Sequence, residues 1–197
     1  MELKKNTFTN ILTEVFSVVF AVLLALGVNE WRTSKNNEDL GSEAFKKIVT
    51  EVKRNKDRVD SLLQNHKKIL ADIDSVIARL KRKDNNLSFG QIIFETPSST
   101  AWEAAKLTSA INYLDYDMVE KITSVYATQK TYSDVSDKVF AELVFFVPDS
   151  DREVMRKQMY KQKVYLYNFI SIEDQLIKEY EAFLEENKNI TPAKHQD

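Results

Sequence analysis

The chain holds few residues of the kinds that carry out chemistry. It has 197 residues, no cysteine and only two histidines, His66 and His195. Without cysteine there is no thiolate nucleophile, disulfide, iron–sulfur cluster or lipoprotein anchor. Three glycines, at positions 27, 41 and 90, are too few for a phosphate-cradling loop. Any site must therefore be built from isolated polar side chains.

Asn55 and His66 are two polar residues that interrupt a long apolar repeat. A polar residue at such a position more often fixes helix register or meets water than binds a ligand. The Glu-x-x-His spacing of di-iron bundles does not occur in the sequence. We therefore expect no metal or cofactor at His66, and we assign no catalytic residue and no enzymatic activity.

Glu14 is the remaining candidate for chemistry, since it opens the most apolar stretch of the chain. An acidic group at membrane depth is costly, and it is usually paired or lines a wet path. Two interpretations stay open. The carboxylate reaches the headgroup layer, or it carries protons as in ion-driven motor stators. Its place at the end of the apolar run favours the headgroup layer.

The stretch that follows Glu14 has the length and composition of a membrane anchor. Residues 15–28 read VFSVVFAVLLALGV and contain no charge. A spanning helix needs roughly 20 apolar residues, with a lower limit of about 17, which residues 12–28 meet. No small-x-small cleavage site follows; Trp31 and Arg32 instead suit a membrane boundary. An uncleaved anchor is favoured over a buried core helix or a signal peptide.

Small and polar residues recur at every fourth position of this predicted anchor, so they share one face of the helix. With Glu14 one turn before them, they are Ser17, Ala21, Ala25 and Asn29. Small residues at that spacing let two helices approach closely in lipid. The stripe predicts a helix–helix interface in the membrane, with a purely lipid-facing helix as the alternative.

Basic residues around the anchor give opposing indications about its orientation. Two lysines precede it, and four basic residues between Arg32 and Lys47 follow it. The count favours a cytoplasmic C-terminal side, whereas a short basic N-terminus is typical of a signal anchor that leaves the remainder outside. We favour a single-pass protein of the bacterial inner membrane with a periplasmic domain.

Beyond the anchor, apolar positions repeat with alternating spacings of three and four. The first such seam comprises Phe45, Ile48, Val52, Asn55, Val59, Leu62, His66, Ile69, Ile73, Val76 and Leu80. Other apolar residues widen it beyond a two-stranded seam, which favours packing in a bundle. The pattern predicts a helix over about residues 38–83, which could continue the anchor helix, with Gly41 among its weakest points.

Later segments complete the predicted architecture. Residues 118–143 and 155–183 repeat the same spacing, and residues 89–94 are expected to form a short extended piece packed across the bundle. Capping boxes predict helix starts at Thr100, Asp117 and Ser150. The fold class is therefore all-α, with an N-terminal transmembrane helix, a long helix and an antiparallel bundle. The predicted divisions are residues 1–32 (tail and anchor), 33–186 (bundle) and 187–197 (flexible tail).

Charge is distributed unevenly along the predicted bundle. Residues 38–83 carry a net charge of +4 and residues 84–197 carry −7. The two parts attract each other, so the basic groups of the long helix are expected on a solvated surface rather than on nucleic acid. The expected partners are the lipid bilayer and either a second copy of the chain or another membrane protein.

Two short motifs resemble a family of bacterial single-pass membrane proteins that is known only as a domain of unknown function. In that family a glutamate opens an aliphatic run, Ala-Leu lies near its end, and Asn-x-Trp follows. Glu14, Ala25-Leu26 and Asn29-Glu30-Trp31 match that order, and Thr100-Ala-Trp-Glu103 matches a later Ser/Thr-Ala-Trp-Glu. The resemblance implies an anchored helical architecture and supplies no activity.

These observations predict a membrane-anchored helical bundle that acts as a structural or interaction subunit, a scaffold or adaptor, of a membrane assembly. The alternative is a ligand-sensing bundle that signals to a membrane partner. An enzyme is opposed by the lack of a nucleophile–base or metal constellation in the sequence.

Overall fold

The computed structural model describes residues 3–82, 90–144 and 150–188, with side chains from residue 12 onward except that of residue 144. These residues contain four α-helices, one short 3₁₀ helix and no strand, which confirms the all-α prediction. The helices are α1 (Leu3–Lys81), α2 (Thr100–Leu107), the 3₁₀ helix (Ala110–Tyr113), α3 (Tyr116–Val144) and α4 (Arg152–Glu186).

Helix α1 is a single helix of 79 residues. At 1.5 Å per residue it is about 118 Å long. It passes without a break through residue 32 and through Gly41, the expected weak point. A Cβ atom at Gly41 would lie 2.8 Å from the carbonyl oxygen of Tyr113. Glycine here permits the 3₁₀ helix to pack closely against α1, so its absent side chain serves tertiary contact rather than a helix break.

The predicted seams form the core of the bundle. All eleven seam positions of α1 are buried, as are all seam positions of α4 between residues 155 and 183. In α3 the interior seam positions are buried and only the end members, Met118 and Leu143, are half-buried. Alternating spacings of three and four residues place these side chains on one face of each helix, and that face packs into the core.

Helix α4 packs against both α1 and α3. Lys56 of α1 pairs with Glu181 at 3.4 Å, and Asp74 of α1 pairs with Lys163 at 2.6 Å. Increasing residue number along α1 therefore meets decreasing number along α4, so the two helices are antiparallel. These ion pairs agree with the predicted attraction between the basic long helix and the acidic remainder.

An irregular stretch, residues 90–99, runs along the bundle between α1 and α2 and is called the crossing segment below. Ile92 and Phe94 are half-buried against the core, whereas residues 91, 93 and 95 are exposed. The ring of Phe94 lies 5.5 Å from that of Phe169. The expected extended piece therefore follows α1 along the bundle in the opposite direction, since Gly90 bonds to Asp72 and Ser98 bonds to Asn55, and it does not pack across the bundle as expected. No strand pairing occurs in the described residues, and Phe89, the first residue of the expected piece, lies outside them.

The helix starts differ in detail from the predicted capping boxes. Asp151, rather than Ser150, caps α4, because its carboxylate accepts hydrogen bonds from the backbone amides of residues 153 and 154 at 2.7 and 3.2 Å. Helix α3 begins at Tyr116, which places Asp117 inside its first turn instead of before it. A carboxylate in either position still interacts favourably with the helix dipole.

Helix α2 is capped from another helix. Its N-cap residue is Ser99, one position before the predicted Thr100, and the Ser99 side chain makes no capping hydrogen bond. The carboxylate of Glu51, on α1, accepts a hydrogen bond from the backbone amide of Ala101 at 3.0 Å. Tertiary packing therefore replaces the local cap that the sequence predicted.

Candidate functional site

The residues of the predicted membrane interface lie on one side of α1, away from the bundle. At 100° per residue, Glu14, Ser17, Ala21, Ala25 and Asn29 fall within a third of the helix circumference, and each is exposed. The Ser17 hydroxyl donates a hydrogen bond to the carbonyl of Thr13 at 2.9 Å, so it is satisfied within its own helix. The described chain makes no contact that covers this face.

Large apolar side chains cover the rest of the helix circumference in this stretch. The large ones from Leu12 to Trp31 are 51–71% exposed, although they form the most apolar part of the chain. Trp31 and Arg32, the predicted boundary residues, are exposed as well. Among the described residues, α1 is the one helix that is long and apolar enough to cross a membrane by length and composition.

A second candidate lies inside the bundle, where polar side chains bind the backbone of the crossing segment. The Asn55 side chain accepts a hydrogen bond from the amide of Ser98 at 3.0 Å and donates one to the carbonyl of the same residue at 2.7 Å. Gln129, on α3, also donates to that carbonyl at 3.0 Å. Polar seam residues of α1 and α3 thus supply the partners that an irregular buried backbone needs.

Gln129 is held in turn by α4. Its side-chain oxygen accepts hydrogen bonds from the Tyr180 hydroxyl at 2.7 Å and from Asn55 at 3.1 Å. Burial raises the pKa of Tyr180 above its usual range, so the hydroxyl remains a donor. The network therefore connects α1, α3, α4 and the crossing segment through neutral side chains.

Glu51 forms a charged part of the same region. One carboxylate oxygen accepts from the Tyr126 hydroxyl at 2.6 Å, and the other accepts from the Ser98 hydroxyl at 2.7 Å. With the amide of Ala101, three donors from α3, the crossing segment and α2 meet this one carboxylate. Burial, followed by the hydrogen bond to Glu51, raises the pKa of Tyr126. Three donors offset the cost of taking this carboxylate out of water.

His66 and Glu173 form the most deeply buried ionisable pair, and neither side chain is exposed. The Nδ1 atom of His66 lies 2.9 and 3.0 Å from the two carboxyl oxygens of Glu173. Its Nε2 atom lies 2.8 Å from the carbonyl oxygen of Ile93 in the crossing segment. The ring is thus fixed at both nitrogens. Its contact with the backbone of the crossing segment agrees with a structural role for a polar residue at a seam position.

Aromatic rings exclude water from this pair. The rings of Phe94 and Phe169 lie 5.1 and 5.5 Å from that of His66. Desolvation raises the pKa of Glu173, and the hydrogen bond from His66 opposes that rise. Burial and the nearby charge of Glu173 also raise the pKa of Tyr132. No group of three or more His, Cys, Asp or Glu side chains suited to a metal ion occurs in the described part of the chain.

A third feature is an open cleft of about 870 Å³ between the C-terminal half of α3 and the N-terminal half of α4. Val139 and Phe169 contribute apolar wall, and Lys161 lies at the cleft, paired with Glu142 at 2.7 Å. Gln162 also lines it, and this residue is only 7% exposed. The described residues provide no partner for the buried Oε1 atom of neighbouring Gln158.

Several residues of these sites were not singled out from the sequence. Gln129 and Glu173 occupy seam positions of α3 and α4, so a polar residue within an apolar repeat was the available signal for them. Glu51 lies beside the α1 seam, not on it, and carries no such signal. The structure brings Asn55 and His66 to the same crossing segment, and it brings neither near the predicted membrane interface.

No known protein family, curated protein or solved structure matches this chain.

Proposed function

We propose that this protein is a single-pass membrane protein whose bundle acts as a structural or interaction subunit, a scaffold or adaptor, of a membrane assembly. The observation that carries the proposal is the exposure of the apolar stretch from Leu12 to Val28 in a helix that continues into the bundle. Burying a valine, leucine or phenylalanine side chain fully is worth about 1.5–3 kcal/mol. A bilayer supplies that burial for the whole stretch at once.

The proposed location is the bacterial inner membrane, with the bundle in the periplasm. Trp31 and Arg32 would then lie at the boundary on the bundle side, because aromatic and basic side chains are favoured at such interfaces. Glu14 would reach the headgroup layer on the opposite side. The variant Glu14→Gln tests whether this residue transfers protons. If growth and assembly are unchanged in that variant, Glu14 does not transfer protons.

The proposed partner surface within the membrane is the stripe of Ser17, Ala21 and Ala25. Small side chains at this spacing permit close helix approach, and the stripe is exposed along its whole length. A second copy of the chain and another membrane protein are the two partners that fit it. Contact through this stripe would leave the bundle free to present its own surface.

The test of this proposal compares two substitutions that add bulk at adjacent positions. Ala21→Leu fills the small stripe, whereas Val22→Leu alters a position about 100° around the helix. We expect Ala21→Leu to abolish co-purification of the partner, or chemical crosslinking between copies, from native membranes, and Val22→Leu to preserve it. Wild-type protein that extracts as a lone monomer without any partner would contradict the scaffold function.

A ligand-sensing bundle is the second candidate, and the cleft between α3 and α4 is the observation that favours it. The buried Oε1 atom of Gln158 has no partner among the described residues, and Gln158 and Gln162 both line this cleft. A bound ligand can satisfy such a group. Native mass spectrometry of protein purified from its own host tests the idea. A small-molecule adduct present on wild type and lost from Gln162→Leu supports sensing; an adduct-free wild-type spectrum contradicts it.

A further inference from the structure

The hydrogen bonds around His66 fix how many hydrogens His66 and Glu173 must carry between them. A carbonyl oxygen only accepts, so the 2.8 Å contact with Ile93 requires a hydrogen on Nε2. The contacts between Nδ1 and the carboxyl oxygens of Glu173, at 2.9 and 3.0 Å, require a second hydrogen. A neutral imidazole beside an ionised carboxylate has only one. The observed arrangement therefore contains one additional proton.

That proton makes the pair electrically neutral as a whole. It lies either on His66, giving an imidazolium beside a carboxylate, or on Glu173, giving an imidazole beside a carboxylic acid. Both forms avoid a net charge at a place where neither side chain is exposed. A buried site with net charge would be costly, so the one-proton form is the stable one.

We propose that His66 and Glu173 form a proton-binding site, and that loss of its proton releases the backbone of the crossing segment at Ile93. After the loss, one hydrogen remains on the ring. It then lies on Nδ1, because the charged carboxylate is a stronger acceptor than a neutral carbonyl. Nε2 then turns a lone pair toward the carbonyl oxygen of Ile93, and two acceptors at hydrogen-bond distance repel each other.

The charged groups around the site are paired among themselves, and Tyr132 is a neutral neighbour that faces Glu173. Lys67 of α1 and Asp174 of α4 form an ion pair of 3.4 Å at the surface. Arg58 of α1 pairs with Glu95 of the crossing segment at 3.2 Å. From α3, the hydroxyl of Tyr132 faces Glu173 and donates to the carbonyl of Glu95 at 3.4 Å. Burial and the nearby charge of Glu173 raise the pKa of Tyr132, so this hydroxyl stays neutral. The pair of His66 and Glu173 therefore holds its proton chiefly through its own two members.

The sign of the pH dependence follows from the proton count. In an unfolded chain, one glutamate and one histidine together bind one proton between about pH 4.3 and 6.5, and none above that range. The folded site binds one. The stability that this site contributes is therefore constant between about pH 4.3 and 6.5, and it falls as the pH rises further. Above that window the equilibrium constant for unfolding increases by up to about tenfold per pH unit. The raised pKa of Glu173 has the same sign.

Glu173→Gln is the decisive variant. A glutamine amide donates a hydrogen bond to Nδ1 of a neutral ring that keeps its hydrogen on Nε2, so both contacts survive without the titrating proton. We expect urea unfolding of the full chain in detergent micelles to show, between pH 6.5 and 8.5, a steeper loss of stability for wild type than for Glu173→Gln. Asp174→Asn, which alters a half-buried neighbour at the surface, should retain the wild-type pH slope. Equal slopes for wild type and Glu173→Gln would overturn the proposal.

A second measurement needs no change at the site. Nitrogen-15 NMR of histidine-labelled protein reports which ring nitrogen carries hydrogen, and His195→Gln leaves His66 as the sole histidine. We expect Nε2 of His66 to be protonated at pH 6 and to lose its hydrogen by pH 10, when Nδ1 carries the one hydrogen of the ring. An Nε2 atom that stays protonated throughout would overturn the release step. This inference does not rest on the membrane role, and neither outcome affects that proposal.

Discussion

At the residue scale, Glu51 illustrates how a single buried side chain connects elements that are distant in sequence. Its carboxylate accepts hydrogen bonds from Tyr126 of α3, from Ser98 of the crossing segment and from the first turn of α2. Three donors from three elements offset the cost of removing the carboxylate from water. Removing one donor therefore weakens the junction without leaving an isolated buried charge.

Tyr126→Phe tests this junction. Hydrogen bonds to charged groups contribute about 1.5–3 kcal/mol, so we expect the free energy of unfolding to fall by that amount. Tyr116→Phe is the matched control, since Tyr116 is 81% exposed and should tolerate the change without loss. Urea unfolding followed by circular dichroism measures both. Equal midpoints for the two variants would show that the Glu51 junction adds nothing to stability.

Only part of this polar core could be predicted from residue patterns. Asn55 and His66 are recognisable because they interrupt an apolar repeat, which a local pattern reveals. Their partners are not recognisable, because the bonds run to backbone groups 43 and 27 positions away in a segment without periodicity. Pairing of His66 with Glu173 spans 107 positions and depends on the packing of α4 against α1.

At the element scale, α1 shows why glycine is ambiguous in a sequence. Low helix propensity made Gly41 a candidate break, yet the helix continues through it. The cost of glycine within a helix is about 1 kcal/mol relative to alanine, which the packing that begins at this residue outweighs. The close approach of Tyr113 explains the residue, and that contact comes from a 3₁₀ helix about 70 positions later.

Gly41→Ala should destabilise the bundle although alanine favours helix. The new methyl group would lie 2.8 Å from the Tyr113 carbonyl oxygen. Overpacking of this kind costs about 1–3 kcal/mol, which exceeds the gain in propensity, so we expect a net loss of about 1 kcal/mol. Gly27→Ala is the control, because a Cβ atom there meets nothing within 4 Å. Thermal unfolding compares the melting temperatures of the two variants with that of wild type. A higher melting temperature for Gly41→Ala would contradict the packing argument.

The helices themselves were predictable because heptad spacing is a local property of the chain. Every seam position of α1 is buried as that spacing requires. The capping boxes were less informative: α4 begins one residue late, and α2 takes its cap from Glu51. Local signals place a helix well, whereas its first turn depends on what packs nearby.

At the scale of the whole molecule, the described residues form two parts that share one helix, an exposed N-terminal stretch and a packed bundle. Side chains from Leu12 to Asn36 are exposed, and continuous burial begins near Gly41. The core of the bundle draws on residues from Phe45 onward. The bundle therefore has the hydrophobic core of an independent folding unit.

Deleting residues 1–31 should leave that unit intact. We expect the truncated protein to be soluble without detergent and to unfold at the same temperature as the bundle of the full chain, because no core residue is removed. Circular dichroism and analytical ultracentrifugation provide the measurement, with the full chain in micelles as the control. A truncated chain that is unfolded or aggregated would show that the N-terminal part of α1 supports the bundle.

Because α1 is unbroken, it fixes the distance between Trp31 and the cleft of the bundle. From Trp31 to Asp74 the helix rises about 65 Å, roughly twice the thickness of a bilayer hydrocarbon core. Asp74 pairs with Lys163, which adjoins Gln162 in the cleft between α3 and α4. If Trp31 lies at a membrane surface and α1 stands perpendicular to it, α1 would hold the cleft about 65 Å from that surface. A binding partner anchored in the same membrane would then need a comparably long arm, whereas a freely diffusing molecule would need none.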